Sequence, residues 1–205
     1  MNKTVMIVVM TLLVMVACRG GQVVVSQYYL LELPPFDEAM PSGAFQTLPG
    51  ICEVAEVKVA PAFASHQIAV REDTHQIRYF SFNEWAVRPP LAFTGLLLDF
   101  LQDRQVFEEV THGRHALPSK YLIETEITHL EMDVGRPLVY ARLNLTISLY
   151  DTATGDRLVS HQADRSELLS AQDLNEFASV TSRLFAEELT KFTIFLSEKL
   201  PVLTK

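Results

Sequence analysis

The longest strict alternation of apolar and polar residues lies in PLVYARLNLTISLYD (137–151). Ala141, Leu143, Leu145, Ile147 and Leu149 alternate with Arg142, Asn144, Thr146, Ser148 and Tyr150. A period of two turns one face of a strand to a core and the other to water. KYLIETEITHLEMDV (120–134) predicts a second long strand. Asp151 to Asp156 (DTATGD) predicts a hairpin turn, and RLVSHQADRSEL (157–168) returns antiparallel.

Shorter strands precede these. YYLLEL (28–33) is aromatic and aliphatic, and Pro34-Pro35 stops it. Residues 34–50 carry Pro34, Pro35, Pro41, Pro49, Gly43 and Gly50, which predicts a long loop. ICEVAEVKVAP (51–61) reads as one strand. HQIAVRED (66–73) and THQIRYFSFNEW (74–85) read as two, joined at Asp73-Thr74, and VFEEVTH (106–112) as another.

Two stretches change the period to that of a helix. In RPPLAFTGLLLDFLQDR (88–104), Pro89-Pro90 sits where a helix start tolerates proline, and Leu91, Leu97, Leu98 and Leu101 supply an apolar face. From about Ala171 to Lys199, Phe177, Leu184, Phe185, Leu189, Phe192, Leu196 and Leu200 mark one stripe, and Ser170 with Asp173 predicts a capped start. These elements predict a single two-layer α/β domain, with a mixed, mainly antiparallel sheet and two principal helices packed on it.

The first 18 residues, MNKTVMIVVMTLLVMVAC, follow neither period. From Val5 to Ala17 the only polar side chain is Thr11, and this run is too short for a bilayer, which takes roughly 20 residues. A basic start at Lys3, an apolar run and small Ala17 describe a secretory signal peptide. LVMVAC resembles a bacterial lipobox, with Met15 where Leu is usual, and so marks Cys18 for acylation. Two or more acyl chains hold a protein durably on a membrane. The expected organisation is a lipoprotein signal peptide at 1–17, a lipidated Cys and tether at 18–27, and the domain at 28–205.

Charge and cysteine content narrow the function. Lys3 is the only charged residue before Cys18, so cleavage moves the net charge from -8 to about -9. Nucleic-acid binding needs clustered Lys and Arg, so it is not expected. Adsorption to anionic head groups is not expected either, which leaves the acyl chains as the attachment. With Cys18 acylated, Cys52 has no intramolecular partner and reads as a buried thiol.

The order of these features carries a resemblance. A lipobox is followed by YYLLELPP, a strand ending at KVAP, the segment FNEWAVRPPLAFTGLLLDFL and a long C-terminal helix. This resembles the ABC-type transport auxiliary lipoprotein family, which includes paraquat-inducible protein C. The resemblance covers nearly the whole mature chain, and Trp85 to Pro90 is its most specific part. It implies an α/β domain on the periplasmic face of the envelope, working beside an ABC permease and ATPase and a mammalian-cell-entry-domain protein. The implied cargo is phospholipid or similar apolar molecules. Arg19 after the Cys, where Asp retains many lipoproteins in the inner membrane, points to the outer membrane.

A search for catalytic chemistry yields little. No GxSxG, HExxH, GxGxxG or P-loop pattern occurs. His112 and His115 lie in a Gly/Pro loop without a ligand set, and Glu124 and Glu126 read as solvated glutamates on one strand face. No cofactor or metal is expected, and the chain is read as non-enzymatic. An assembly lipoprotein is the second reading, and a periplasmic hydrolase with an unrecognised site the third. The contact candidates are aromatic and aliphatic: Tyr79, Phe82 and Trp85 as a surface for a partner or lipid, with core packing as the alternative. Ile194 and Phe195, off the centre of the C-terminal stripe, suggest a partner contact or a homo-oligomer.

Overall fold

The computed structural model describes residues 25–35, 47–113, 118–135 and 137–203. The signal segment, Cys18 and His115 lie outside these residues. Strands β1 (Gln27–Tyr29), β2 (Leu48–Val54), β3 (Lys58–Val59), β4 (Gln67–Asp73) and β5 (Gln76–Trp85) lead to helix α1 (Pro89–Asp103). Then come β6 (Phe107–His112), β7 (Tyr121–Asp133), β8 (Tyr140–Asp151), β9 (Arg157–Leu168) and helix α2 (Leu174–Leu203).

The β7 strand is the spine of one mixed sheet. Along one edge it pairs antiparallel with β8 over its whole length, from Tyr121 opposite Asp151 to Asp133 opposite Tyr140. Along the other edge three short strands pair with it in parallel and in succession: β2 at Tyr121–Ile123, β3 at Glu126–Ile127 and β4 at Met132–Asp133. The sheet grows outward from these through β6 beside β2, β5 and then β1 beside β4, and β9 beside β8. The antiparallel ladders β7–β8 and β8–β9 are the longest. The parallel contacts of β7 with β2, β3 and β4 are brief, whereas β2 and β6 pair in parallel from Leu48 opposite Phe107 to Val54 opposite His112.

A register shift between Ile127 and His129 flips the phase of β7. Ile123 and Ile127 face the helices before it, and Leu130 and Met132 after it, all buried with Ala141, Leu143, Leu145 and Ile147 of β8. One inserted residue in a strand of period two has this effect. The flip also turns Glu131 and Asp133 to the face opposite the helices.

Both helices cover one face. Phe93 of α1 meets Phe185 of α2 edge-on, with ring centroids 4.8 Å apart. The predicted α2 stripe, Phe177, Leu184, Phe185, Leu189, Phe192 and Leu196, is buried. On α1, Leu97 and Leu101 are buried with Phe93 and Phe100, but Leu91 lies outside, 45% exposed. Thr94 fixes α1 to the sheet margin: its hydroxyl donates to the Pro90 carbonyl (2.7 Å) and accepts from the Val57 N–H (2.9 Å). No helix among the described residues is long and apolar enough to cross a membrane.

Several boundaries differ from the sequence reading. The first strand is only Gln27–Tyr29. Beyond it Leu31 turns inward and is buried. The expected 51–61 strand is split into β2 and β3, and β2 begins inside the expected loop, at Leu48. Helix α2 starts at Leu174, not Ala171. Asp173, rather than Ser170, caps it, accepting the N–H groups of Asn175 (2.7 Å) and Glu176 (3.0 Å). Glu176 reaches back past the cap to the Ser170 N–H (3.0 Å) and hydroxyl (2.6 Å), which braces the turn before the helix in place of a capping box.

Candidate functional site

The sequence candidates among the described residues separate into one core residue, one partly buried residue and two surfaces. Trp85 is the core residue. It is 2% exposed, packs on Phe177 of α2 (5.7 Å between ring centroids), and its backbone N–H donates to the His66 carbonyl (2.7 Å). A side chain so enclosed cannot form a partner or lipid contact, so Trp85 leaves the contact set. It sits on the helix side because β5 ends under the start of α2, next to β1.

Tyr79 and Phe82 do not form one surface. Tyr79 is partly buried, and its hydroxyl donates to the Ala62 carbonyl (3.1 Å), which ties β5 to the loop after β3. Phe80, two residues before Phe82, is partly buried under the Arg78 guanidinium, 5.2 Å from its ring centre. The β4–β5 register jumps between Gln67 opposite Glu84 and Ala69 opposite Tyr79. This irregularity interrupts the alternation that would have aligned these aromatics. Phe82 remains 49% exposed, near exposed Tyr28 and Leu30 of the β1 segment.

The second surface is the distal part of α2. Ile194 and Phe195 are 41% and 43% exposed, and the Phe195 ring lies 5.9 Å from that of His161 on β9. Just before them, α2 is clamped to β9 by charge. Glu188 is nearly fully buried and accepts from His161 Nε2 (2.7 Å), from Lys191 Nζ (2.7 Å) and from Arg165. Arg165 also bonds Glu187 (2.9 Å), and Arg183 joins Glu187 (2.6 Å) to Glu167 of β9. Burial alone would raise the Glu188 carboxyl, but the hydrogen bonds from Lys191, His161 and Arg165 outweigh it and hold it below the ordinary range. The sequence held a signal for this. Glu188 falls in the buried stripe, four residues from Leu184 and from Phe192, where a charge requires partners.

On the helix-free face lies a polar cleft of about 460 Å³, lined by Arg71, Asp73, Thr74, His129, Asp133, Gly135 and Arg142. The lining residue Arg71 binds the fully buried Glu131 bidentately (2.7 and 2.8 Å). Arg142 stands 3.6 Å from the same carboxylate. The wall of the cleft needs Gly135, because a Cβ there would come within 2.7 Å of the Glu72 carbonyl oxygen. His129 is held below the ordinary histidine range, first by burial and then by Arg142.

The remaining candidates keep simple roles. Glu124 pairs with Lys58 at 3.6 Å, Glu126 is exposed, and His112 Nδ1 contacts the Val54 carbonyl oxygen (2.7 Å). Cys52 is a buried free thiol, and burial pushes it well above the ordinary range. Among the described residues, no group of three or more His, Cys, Asp or Glu side chains is arranged to hold a metal.

Comparison with known proteins identifies the domain. Among solved structures, protein XCC0632 from Xanthomonas campestris superposes with a TM-score of 0.71 at 15% identity, over 86% of this chain and 97% of that one. An uncharacterized protein gives 0.65 at 13% identity, over 84% and 99%. At such identities the likeness is one of fold. No protein of curated function matches the sequence. The family model for the ABC-type transport auxiliary lipoprotein component matches residues 29–191, from β1 through most of α2. The chain therefore belongs to the family of ABC-type transport auxiliary lipoprotein components.

Proposed function

We propose that this protein is a non-enzymatic, membrane-tethered subunit of an ABC and mammalian-cell-entry-type transport system that moves phospholipid or other apolar molecules across the envelope. The family match over residues 29–191 carries the reading. The N-terminal sequence supports it: after cleavage behind Ala17, acyl chains on Cys18 hold the chain to a membrane, and residues 18–27 tether the domain. Arg19 favours the outer membrane, facing the periplasm.

The architecture suits a docking subunit. A rigid sheet carries two separate exposed apolar surfaces, around Phe82 and around Ile194 and Phe195. The distal α2 surface is the proposed contact for a second copy or for a complex partner. The energy for transport comes from the ATPase of the system, since this sequence carries no P-loop. The test is phospholipid exchange between the two membranes in cells lacking the protein, followed by complementation. Loss of exchange, restored by the wild-type chain but not by Cys18→Ala, supports the proposal. Unchanged exchange in the deletion, with the ATPase active, contradicts it.

A further inference from the structure

The register of β1 on β5 brings a group of exposed apolar side chains to the point where the tether enters the domain. Tyr28 lies opposite Glu84, and Tyr29 opposite Trp85. Directly paired residues share a face, and residues two apart in a strand share a face. Trp85 and Tyr29 therefore face the helices, while Tyr28 and Phe82 both face away. Leu30 follows at the rim of this group, past the end of β1, where it also lines a cleft with Asn175 and Arg183 of α2. The Ala86 N–H donates to the Tyr29 carbonyl (2.8 Å), which carries Val87 to the same end of the sheet. Tyr28, Leu30, Phe82 and Val87 are 63%, 52%, 49% and 42% exposed.

We infer that this patch lies against the lipid bilayer at the boundary of head groups and acyl chains, and that it sets the orientation of the domain on the membrane. The inference rests on the anchoring at Cys18 proposed above. The chain outside the structure supplies the reason for choosing lipid over a protein partner. Only eight residues lie between Cys18 and Gln27, so nine Cα steps span about 30 Å when fully extended. Any slack in that tether brings the bilayer to the surface nearest its root, and this patch adjoins the root. The chemistry also fits: aromatic residues with a polar tip, such as Tyr28, and aliphatic residues are the types that settle at a lipid interface.

Charge decides what kind of lipid contact this is. Glu84 lies in the patch and Glu32 follows it, and beside Val87 stands only Arg88, so among the described residues no cationic cluster is present there to attract anionic head groups. The contact is apolar, and it is independent of anionic lipid. Anchoring supplies the local concentration, and the patch supplies the angle, which directs the opposite parts of the domain into the periplasm.

The test uses the full acylated chain in vesicles of phosphatidylcholine alone, and of phosphatidylcholine with phosphatidylglycerol. A nitroxide is attached to Phe82→Cys in one sample and to Gln162→Cys, on exposed β9, in another. Native Cys52 is buried and Cys18 acylated, so neither competes for the label. Oxygen concentrates in lipid, and a neutral nickel chelate stays in water. At position 82, relaxation by the chelate should fall severalfold relative to position 162, equally in both lipids, with oxygen relaxation raised. In a Tyr28→Ser/Leu30→Ser background this protection should disappear while the protein still floats with the vesicles. A floating protein whose position 82 is as open to the chelate as position 162 overturns the inference and leaves the anchor standing. Protection seen only with phosphatidylglycerol also overturns it, because the contact would then be electrostatic. A chain that does not float removes the anchor and this inference with it.

Discussion

Glu188→Gln removes one charge from the clamp between α2 and β9 with almost no change of shape. In the wild type Glu188 accepts from His161, Lys191 and Arg165 while 1% exposed. Removing one partner of a buried ion pair costs about 3–5 kcal/mol, because the other charge is left uncompensated. Two features here reduce the cost. Arg165 keeps Glu187 at 2.9 Å, and the Lys191 side chain is half exposed, so water can solvate it. The expected loss at pH 7 is about 2–3 kcal/mol, or a melting temperature lower by about 4–12 °C for a domain of this size. The pH dependence is more specific. A carboxyl held below its ordinary value of 4.5 contributes stability that is fully present above that value and is lost as pH falls through the folded-state value. The wild type and Glu188→Gln should therefore differ most near neutrality and converge on acidification below about 4.5. Thermal melts at a series of pH values measure this. Equal melting temperatures at pH 7, or a gap that stays constant down to pH 3, would mean that the Glu188 charge does not hold α2 to β9.

Three further expectations follow from the same structure. Trp85→Ala should lower stability by about 3–5 kcal/mol, as for other buried aromatic truncations, and an unmoved thermal melt would contradict its place in the core. Cys18→Ala should abolish incorporation of labelled fatty acid, and label retained in the variant, or absent from the wild type, would contradict lipidation there. Ile194→Glu should weaken self-association or partner capture by a form beginning at Arg19 while leaving its melt unchanged. Sedimentation checks this, and a wild type that stays monomeric and captures its partner equally well with Glu at 194 would remove the distal α2 surface from the account.

Strands and helices were legible in the sequence where one periodic signal ran between clear stops. β9 occupies the predicted 157–168 because the DTATGD turn fixes one end and the α2 cap region the other. The two helices were legible from their stripes, and Pro89-Pro90 marked the start of α1. Strand partners were not legible. Period two states which side chains share a face, but not that β2, β3 and β4 meet β7 one after another. The phase flip at Ile127 and His129 was also hidden, since a single inserted residue leaves both flanking alternations intact. This hid the place of Glu131: unbroken alternation from Ile123 and Ile127 would put it on the core face, and the flip turns it to the opposite face, where Arg71 binds it. The contact surfaces were legible in part. Ile194 and Phe195 followed from helix geometry. The aromatic run 79–85 divided into core, partly buried and exposed residues, because the irregular β4–β5 register broke its alternation. The Tyr28 and Phe82 neighbourhood needed the β1–β5 pairing, which joins residues far apart in the chain.

A working subunit of an ABC-type transport complex should be recovered with that complex. The decisive experiment is affinity capture of the intact acylated chain from gently solubilised membranes, with identification of what accompanies it. A mammalian-cell-entry-domain protein together with an ABC permease and its ATPase should be recovered with the wild type and depleted with Cys18→Ala. Capture of well-folded, acylated protein that brings none of these components, in cells where all of them are expressed, would contradict it.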